Sequence, residues 1–151
     1  MPKTTILDAN LLVLHVVGRT SLAYIESHKR LRAYGRADYR LLLKLLKTSP
    51  VMVVTPHILT EAAAIAAQIP DPARRHIRAT LCSYIDTTHE IYIESRTASK
   101  HDAFFDLGLT DSSLLCLLAN GHELLTADHD LYAAAIRRGH AARNFNHYRL
   151  R

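Results

Sequence analysis

The stretch Thr4-Thr5-Ile6-Leu7-Asp8-Ala9-Asn10 decides the fold of this chain. Thr4 to Leu7 form a short, mostly apolar and β-prone run, and Asp8 closes it before helical spacing begins. A strand that ends on a carboxylate and gives way to a helix often begins a binding site, because ligands of open parallel sheets lie outside the carboxyl ends of the strands. We therefore ask whether other carboxylates reach the same edge.

Further short apolar runs follow this first strand. We predict strands at 51–54, 90–94 and 122–126, and a last edge strand at 141–145. Segments with helical spacing lie between them, including 11–17, 36–47, 95–107, 112–119 and 131–138. The alternation of strands and helices predicts an α/β fold, with one parallel sheet covered by helices on both faces.

The size and charge of the chain limit its class. A chain of 151 residues is expected to form a single domain, 1–151. The net charge of +5 favours an anionic partner, with nucleic acid ahead of membrane. We find no apolar stretch of the ~18 residues that a membrane span requires and no secretory signal pattern, so we expect a cytoplasmic protein that does not enter a membrane.

A basic helical segment occupies about 20–47. Within it the cations Arg36, Arg40, Lys44 and Lys47 recur at helical spacing, opposite a wide face of leucines. This basic stripe has two open interpretations, a solvated helix face or a surface that contacts RNA phosphates.

Carboxylates occur where strands stop or helices begin: Asp8, Glu61, Asp111 and Asp128, with Asp130 beside the last. Each aspartate taken alone is also a good helix N-cap, and that alternative stays open. Clustered carboxylates repel one another, which raises the pKa of some of them unless a cation neutralises the group. Because oxygen ligands suit Mg²⁺ or Mn²⁺, the set predicts a metal-dependent nuclease site.

The order of these motifs resembles that of the PIN-domain ribonucleases, a family whose best-known small members are the VapC toxins of toxin–antitoxin systems. The four stretches that carry the resemblance are Ile6-Leu7-Asp8-Ala9-Asn10, Thr55-Pro56-His57-Ile58-Leu59-Thr60-Glu61, Gly108-Leu109-Thr110-Asp111-Ser112-Ser113-Leu114 and Leu124-Leu125-Thr126-Ala127-Asp128-His129-Asp130-Leu131. The segment 20–47 is longer and more basic than the compact VapC pattern, and it is a candidate for a separate substrate or partner surface.

The resemblance implies a three-layer α/β/α sandwich that hydrolyses RNA with Mg²⁺ or Mn²⁺. It implies that Asp8, Glu61, Asp111 and Asp128 act in catalysis and that Asp130 joins the aspartates as a metal ligand. Asn10 and Thr126 would orient those ligands by hydrogen bonds. A small antitoxin protein and a second copy of the chain are the further partners that the resemblance suggests.

Two other functions compete with the nuclease. A haloacid-dehalogenase-like phosphatase also begins with a strand that ends in Asp, but it needs a second Asp two residues later, where this chain has Asn10. A non-catalytic RNA-binding module with the same fold would explain the basic stripe. It would not explain the acids, because clustered carboxylates repel an anion.

Overall fold

The computed structural model describes residues 3–49 and 51–149. Strands and helices alternate through these residues. The strands are β1 (Thr4–Leu7), β2 (Val51–Val54), β3 (His89–Glu90), β4 (Glu123–Thr126) and β5 (Ala142–Asn144). The α-helices are α1 (Ala9–Thr20), α2 (Leu22–Ser27), α3 (Arg36–Leu46), α4 (Pro56–Ala66), α5 (Ala73–Thr87), α6 (Ser95–Ala98), α7 (Phe104–Leu118) and α8 (His129–Arg137).

The strands form a five-stranded sheet in the order β3-β2-β1-β4-β5, and all of its pairings are parallel. β1 is central: Thr4 pairs with Val51 of β2 on one side, and Leu7 pairs with Leu125 of β4 on the other. The direction in which strands are added reverses at β1, and the crevice for a ligand in such sheets lies at the carboxyl ends of the strands beside this point. The predicted α/β class with a central parallel sheet is confirmed.

The first helix is buried on almost every side. Leu11, Leu14 and Val17 of α1 are fully buried, and α1 contacts α2, α3, α4 and α5. A helix with apolar residues all round belongs in a core, and here it covers the sheet directly after β1. Gly18 lets α3 come close, because the ring of Tyr39 occupies the space that a Cβ at position 18 would need.

The third strand is shorter than the sequence predicts. The prediction covered 90–94, whereas β3 contains only His89 and Glu90. One further bond, from the Ile91 amide to the Val54 carbonyl, ends the pairing (2.8 Å). β2 offers no longer partner, because Thr55 caps α4 and Pro56 is its first residue, so the chain leaves the sheet there.

The helices near Asp111 also differ from the prediction. The sequence pattern predicts a mixed, helical segment over 95–107 and a new helix over 112–119. Instead, α6 ends at Ala98, and α7 begins at Phe104 and runs to Leu118 with a break at Gly108. Gly108 has φ 86° and ψ −178°, a conformation that is essentially restricted to glycine. The break separates the first turn of α7 from the part that carries Asp111.

The basic segment consists of α2, a short 3-10 helix at Lys29–Leu31, and α3. The predicted helix 36–47 is present as α3, and Lys47 is its C-cap. Within the described ranges, no helix combines the length and the apolar character that a membrane crossing requires.

Candidate active site

Asp8 lies at the carboxyl end of the central strand and is 5% exposed. Its Oδ1 accepts a hydrogen bond from the Leu11 amide (2.9 Å), so it caps α1. Its Oδ2 accepts from the Thr126 hydroxyl and from the Ala127 amide (3.3 Å). Burial is the largest effect and raises the pKa of the Asp8 carboxyl, although these hydrogen bonds lower it and the charge of Asp128 raises it further. The carboxylate is therefore desolvated and held in one orientation.

Thr126, at the end of β4, is hydrogen-bonded to Asp8, which directly follows β1. Its hydroxyl donates to Asp8 and accepts a hydrogen bond from the Asp128 amide (3.0 Å). Because it is the last residue of β4, its side chain is fixed by the sheet. Thr126 thus orients the Asp8 carboxylate and the turn that leads into α8. This is the orienting role by hydrogen bonds that the resemblance implies for Thr126.

Asp111 is half-buried in the first turn after the break in α7. Its pKa is raised from 3.8 to about 7, first by burial and then by the negative charges of Asp128, Asp8 and Glu61. Three predicted acids from other parts of the chain therefore act electrostatically on the fourth, Asp111.

Asp128 and Glu61 are the solvent-exposed members of this acid cluster (Asp8, Glu61, Asp111 and Asp128). Asp128 is the N-cap of α8, since its Oδ1 accepts from the Leu131 amide (3.0 Å). The capping interpretation is thus correct for Asp8 and Asp128. It is compatible with a second role, because an ionised carboxylate has about four acceptor positions. Glu61 lies on α4 and lines an open hollow of about 370 Å³ together with Leu109 and Thr110.

Two predicted residues do not join the cluster. Asn10 is exposed on α1, and its side chain makes no hydrogen bond to any described residue. No contact of Asn10 therefore supports the orienting role expected for it. Asp130 is exposed and is not among the charges that raise the pKa of Asp111. It lines a separate hollow of about 220 Å³ with Asp106 and Arg138.

The acid cluster is looser than a formed metal site. Within residues 3–49 and 51–149, no three His, Cys, Asp or Glu side chains are close enough together to hold a metal ion. Burial, and then the charges of Asp128, Asp8 and Glu61, raise the pKa of Asp111 to about 7. A set of oxygen donors that repel one another is chemically suited to Mg²⁺ or Mn²⁺. The donors therefore fit such an ion, and binding would require the side chains to approach one another.

The basic stripe is exposed on α3. All four of its residues, Arg36, Arg40, Lys44 and Lys47, face solvent. Arg36 forms an ion pair with Glu26 (Nε to Oε1, 2.7 Å), whereas the other three make no ion pair within the described part of the chain. The stripe thus offers cations to an anionic partner, as both interpretations of the sequence allow.

Three further residues near the cluster were not predicted from the sequence: Tyr34, Asn146 and Arg149. The Asn146 side-chain amide donates to the Ala127 carbonyl (3.1 Å), and the Arg149 guanidinium donates to the Asn146 side chain (3.2 Å). Arg149 also lies over the ring of Tyr34, 5.1 Å from its centroid. No short motif links these residues to the acids, because the contacts of Asn146 with Ala127 and of Arg149 with Tyr34 join distant parts of the sequence.

A comparison of the sequence with protein-family models finds no match, and no curated protein matches it either. The family resemblance therefore depends on the four acidic motifs alone.

Proposed function

We propose that this protein is a Mg²⁺- or Mn²⁺-dependent endoribonuclease that hydrolyses RNA phosphodiester bonds at the acid cluster. The observation that carries the proposal is that Asp8 and Asp128 lie at the carboxyl ends of the paired strands β1 and β4, where Thr126 and Ala127 donate hydrogen bonds to Asp8. The raised pKa of Asp111, caused first by burial and then by Asp128, Asp8 and Glu61, agrees with it. Grouping four acids costs stability, and a cation bound among them would reduce that cost. Helix capping explains the positions of Asp8 and Asp128, but it does not explain those of Asp111 and Glu61, which lie within α7 and α4.

The residues that would hold the ion are Asp8, Asp111 and Asp128, with Glu61 reaching it directly or through water. The ion, when bound, supplies positive charge that stabilises a phosphodiester oxygen and lowers the pKa of an attacking water. Asp8 is fixed by its hydrogen bonds to Leu11, Thr126 and Ala127. The half-buried Asp111 and the exposed Asp128 are open to solvent and hence to a substrate.

RNA is the proposed substrate because of the charge of the protein. The net charge is +5 despite the acid cluster, so the rest of the protein is basic and favours an anionic partner. Arg40, Lys44 and Lys47 of the basic stripe, which make no ion pair with any described residue, suit a polyanion that is longer than a single phosphate. An antitoxin and a homodimer remain predictions from the family resemblance, and size-exclusion chromatography with light scattering tests the second.

The test is cleavage of a purified RNA pool with Mg²⁺, with Mn²⁺ and with EDTA. We expect cleavage with either ion and none with EDTA. Asp111→Asn should reduce the rate by about 100-fold or more, and Asp106→Asn, an exposed acid on the same helix, should not change it. Cleavage that survives EDTA, or full activity of Asp111→Asn, would show that the proposal is wrong.

A second candidate is a non-catalytic RNA-binding module. The observation in its favour is that no three possible ligands in the described ranges are close enough to hold a metal. RNA binding without cleavage in the same assay would support it. A phosphatase is less well supported, because Asn10 is present where such an enzyme needs an acid; release of phosphate from a small phosphoester would argue for it.

A further inference from the structure

Tyr34 connects the basic segment to the edge of the sheet that carries the acids. It lies between the 3-10 helix at Lys29–Leu31 and α3 and is half-buried. Its ring packs against Phe145, with the ring centroids 6.3 Å apart. Phe145 directly follows β5, the neighbour of β4, so the ring lies at the carboxyl edge of the sheet.

Arg149 holds the other side of the Tyr34 ring. Its guanidinium carbon is 5.1 Å from the ring centroid. The guanidinium is itself fixed, since Nε donates to Asp38 Oδ1 (3.0 Å) and Nη2 donates to the Ala33 carbonyl (2.6 Å). A planar guanidinium with this many partners is a rigid support for an aromatic ring. Tyr34 is therefore held between Phe145 and Arg149.

The same arginine is linked to Asp8 by a chain of hydrogen bonds. Arg149 donates to Asn146 (3.2 Å), and Asn146 donates to the Ala127 carbonyl (3.1 Å). The Ala127 amide then donates to Asp8 Oδ2 (3.3 Å). Three hydrogen bonds thus connect Arg149, which packs on the Tyr34 ring, to the Asp8 carboxylate.

The Tyr34 hydroxyl has no hydrogen-bond partner among the described residues. Burial, and next the charge of Asp8, raise the pKa of Tyr34 to about 12. The phenol therefore keeps its proton at neutral pH and remains a hydrogen-bond donor. The Tyr34 hydroxyl oxygen is not fully buried, so solvent reaches it.

We propose that the Tyr34 hydroxyl is a substrate-contacting group of the acid cluster, which donates a hydrogen bond to a phosphate oxygen of a bound RNA strand. A neutral donor suits this place, because it contacts an anion without adding negative charge to the acids. The inference rests on the proposed ribonuclease function, and it gives the inserted segment 20–47 a part in the site.

Tyr34→Phe is a selective test, because it removes only the hydroxyl and keeps the ring between Phe145 and Arg149. We expect the melting temperature to stay unchanged and kcat/KM for a single-stranded oligoribonucleotide to fall about 10- to 100-fold, the range for one hydrogen bond to a charged group. The matched control is Tyr39→Phe on α3. Tyr39 is 9% exposed, and the neighbouring charge that acts on its hydroxyl is Arg19 and not an acid of the cluster.

The outcomes separate this inference from the proposed function. If the wild type cleaves RNA only with the divalent ion and Tyr34→Phe matches it, the contact does not exist, while the ribonuclease proposal stands. If the wild type does not cleave, the ribonuclease proposal fails. The affinity of both variants for a fluorescent oligoribonucleotide in EDTA then decides: a loss of affinity confined to Tyr34→Phe supports the contact, and equal affinities overturn it.

Discussion

Asp111→Asn should make the metal-free protein more stable at neutral pH. The pKa of Asp111 is about 7 in the folded protein, against an ordinary value of 3.8. The folded state therefore keeps a proton that the unfolded state has lost over this range. The stabilisation from Asp111 is fully present below pH 3.8 and is lost as the pH rises towards about 7. Above that value the ionised side chain only destabilises the fold.

The size of the effect follows from the difference between the ordinary pKa of 3.8 and the pKa of about 7 in the folded protein, since a tenfold change in a proton-binding constant corresponds to about 1.36 kcal/mol. Relative to a neutral side chain, ionisation of Asp111 costs about 2 kcal/mol at about pH 5 and about 4 kcal/mol at about pH 8. Asparagine has nearly the same shape and no charge. The free energy of unfolding of Asp111→Asn should therefore exceed that of the wild type by a margin that roughly doubles between these two pH values.

The assay is urea unfolding at about pH 5 and about pH 8, with EDTA and then with Mg²⁺ or Mn²⁺. Because a bound cation relieves the same repulsion, either ion should stabilise the wild type more than Asp111→Asn. Asp106→Asn should behave like the wild type throughout. The reasoning is refuted if Asp111→Asn gains no stability at about pH 8, if its gain does not grow with pH, or if the ions stabilise both proteins equally.

Other substitutions test the positions around the cluster. Thr126→Val should lower the free energy of unfolding by about 1–3 kcal/mol, because the buried Asp8 carboxylate loses a donor, and Thr126→Ser should recover most of the loss in urea titrations. Gly108→Ala should cost about 1–3 kcal/mol, since its φ of 86° strains any residue with a Cβ, and an unchanged urea midpoint would contradict this. His15 is largely buried against Tyr84, and burial lowers its pKa from 6.5 to about 4. As the pH falls, His15 is protonated in the unfolded protein before it is protonated in the folded protein. About 3 kcal/mol of the free energy of unfolding should therefore be lost between about pH 6.5 and about pH 4. His15→Leu should remove this loss from the pH profile of stability.

The acids were predictable because their signals are local. Asp8 and Asp128 follow apolar runs directly, and each caps the next helix through an amide three residues later. The parallel sheet then brings such strand ends to one edge without further information. The alternation of strands and helices was enough to predict the class of fold for the same reason.

The rest depends on contacts between distant parts of the chain. β3 ends early because its only neighbour, β2, turns into a helix at Pro56, which the apolar pattern of 90–94 does not reveal. Arg149 lies over the ring of Tyr34, and its bond to the Ala33 carbonyl spans 116 positions. The exposure of Asn10 likewise depends on which side of α1 faces the core. Periodicity within a short window contains none of this.

The hydrogen bond from Thr126 to Asp8 joins residues 118 positions apart, so it has a consequence for synthesis. A chain on the ribosome is made from its N-terminus, and β1, α1 and β2 are available to fold long before β4 exists. A nascent chain thus contains Asp8 and Glu61 without Asp111 and Asp128. If the mature protein cuts RNA, the growing chain beside the messenger and the ribosomal RNA has no assembled site. Under the proposed function, RNA cleavage would begin only after residue 128 has been added and has reached its place next to β1.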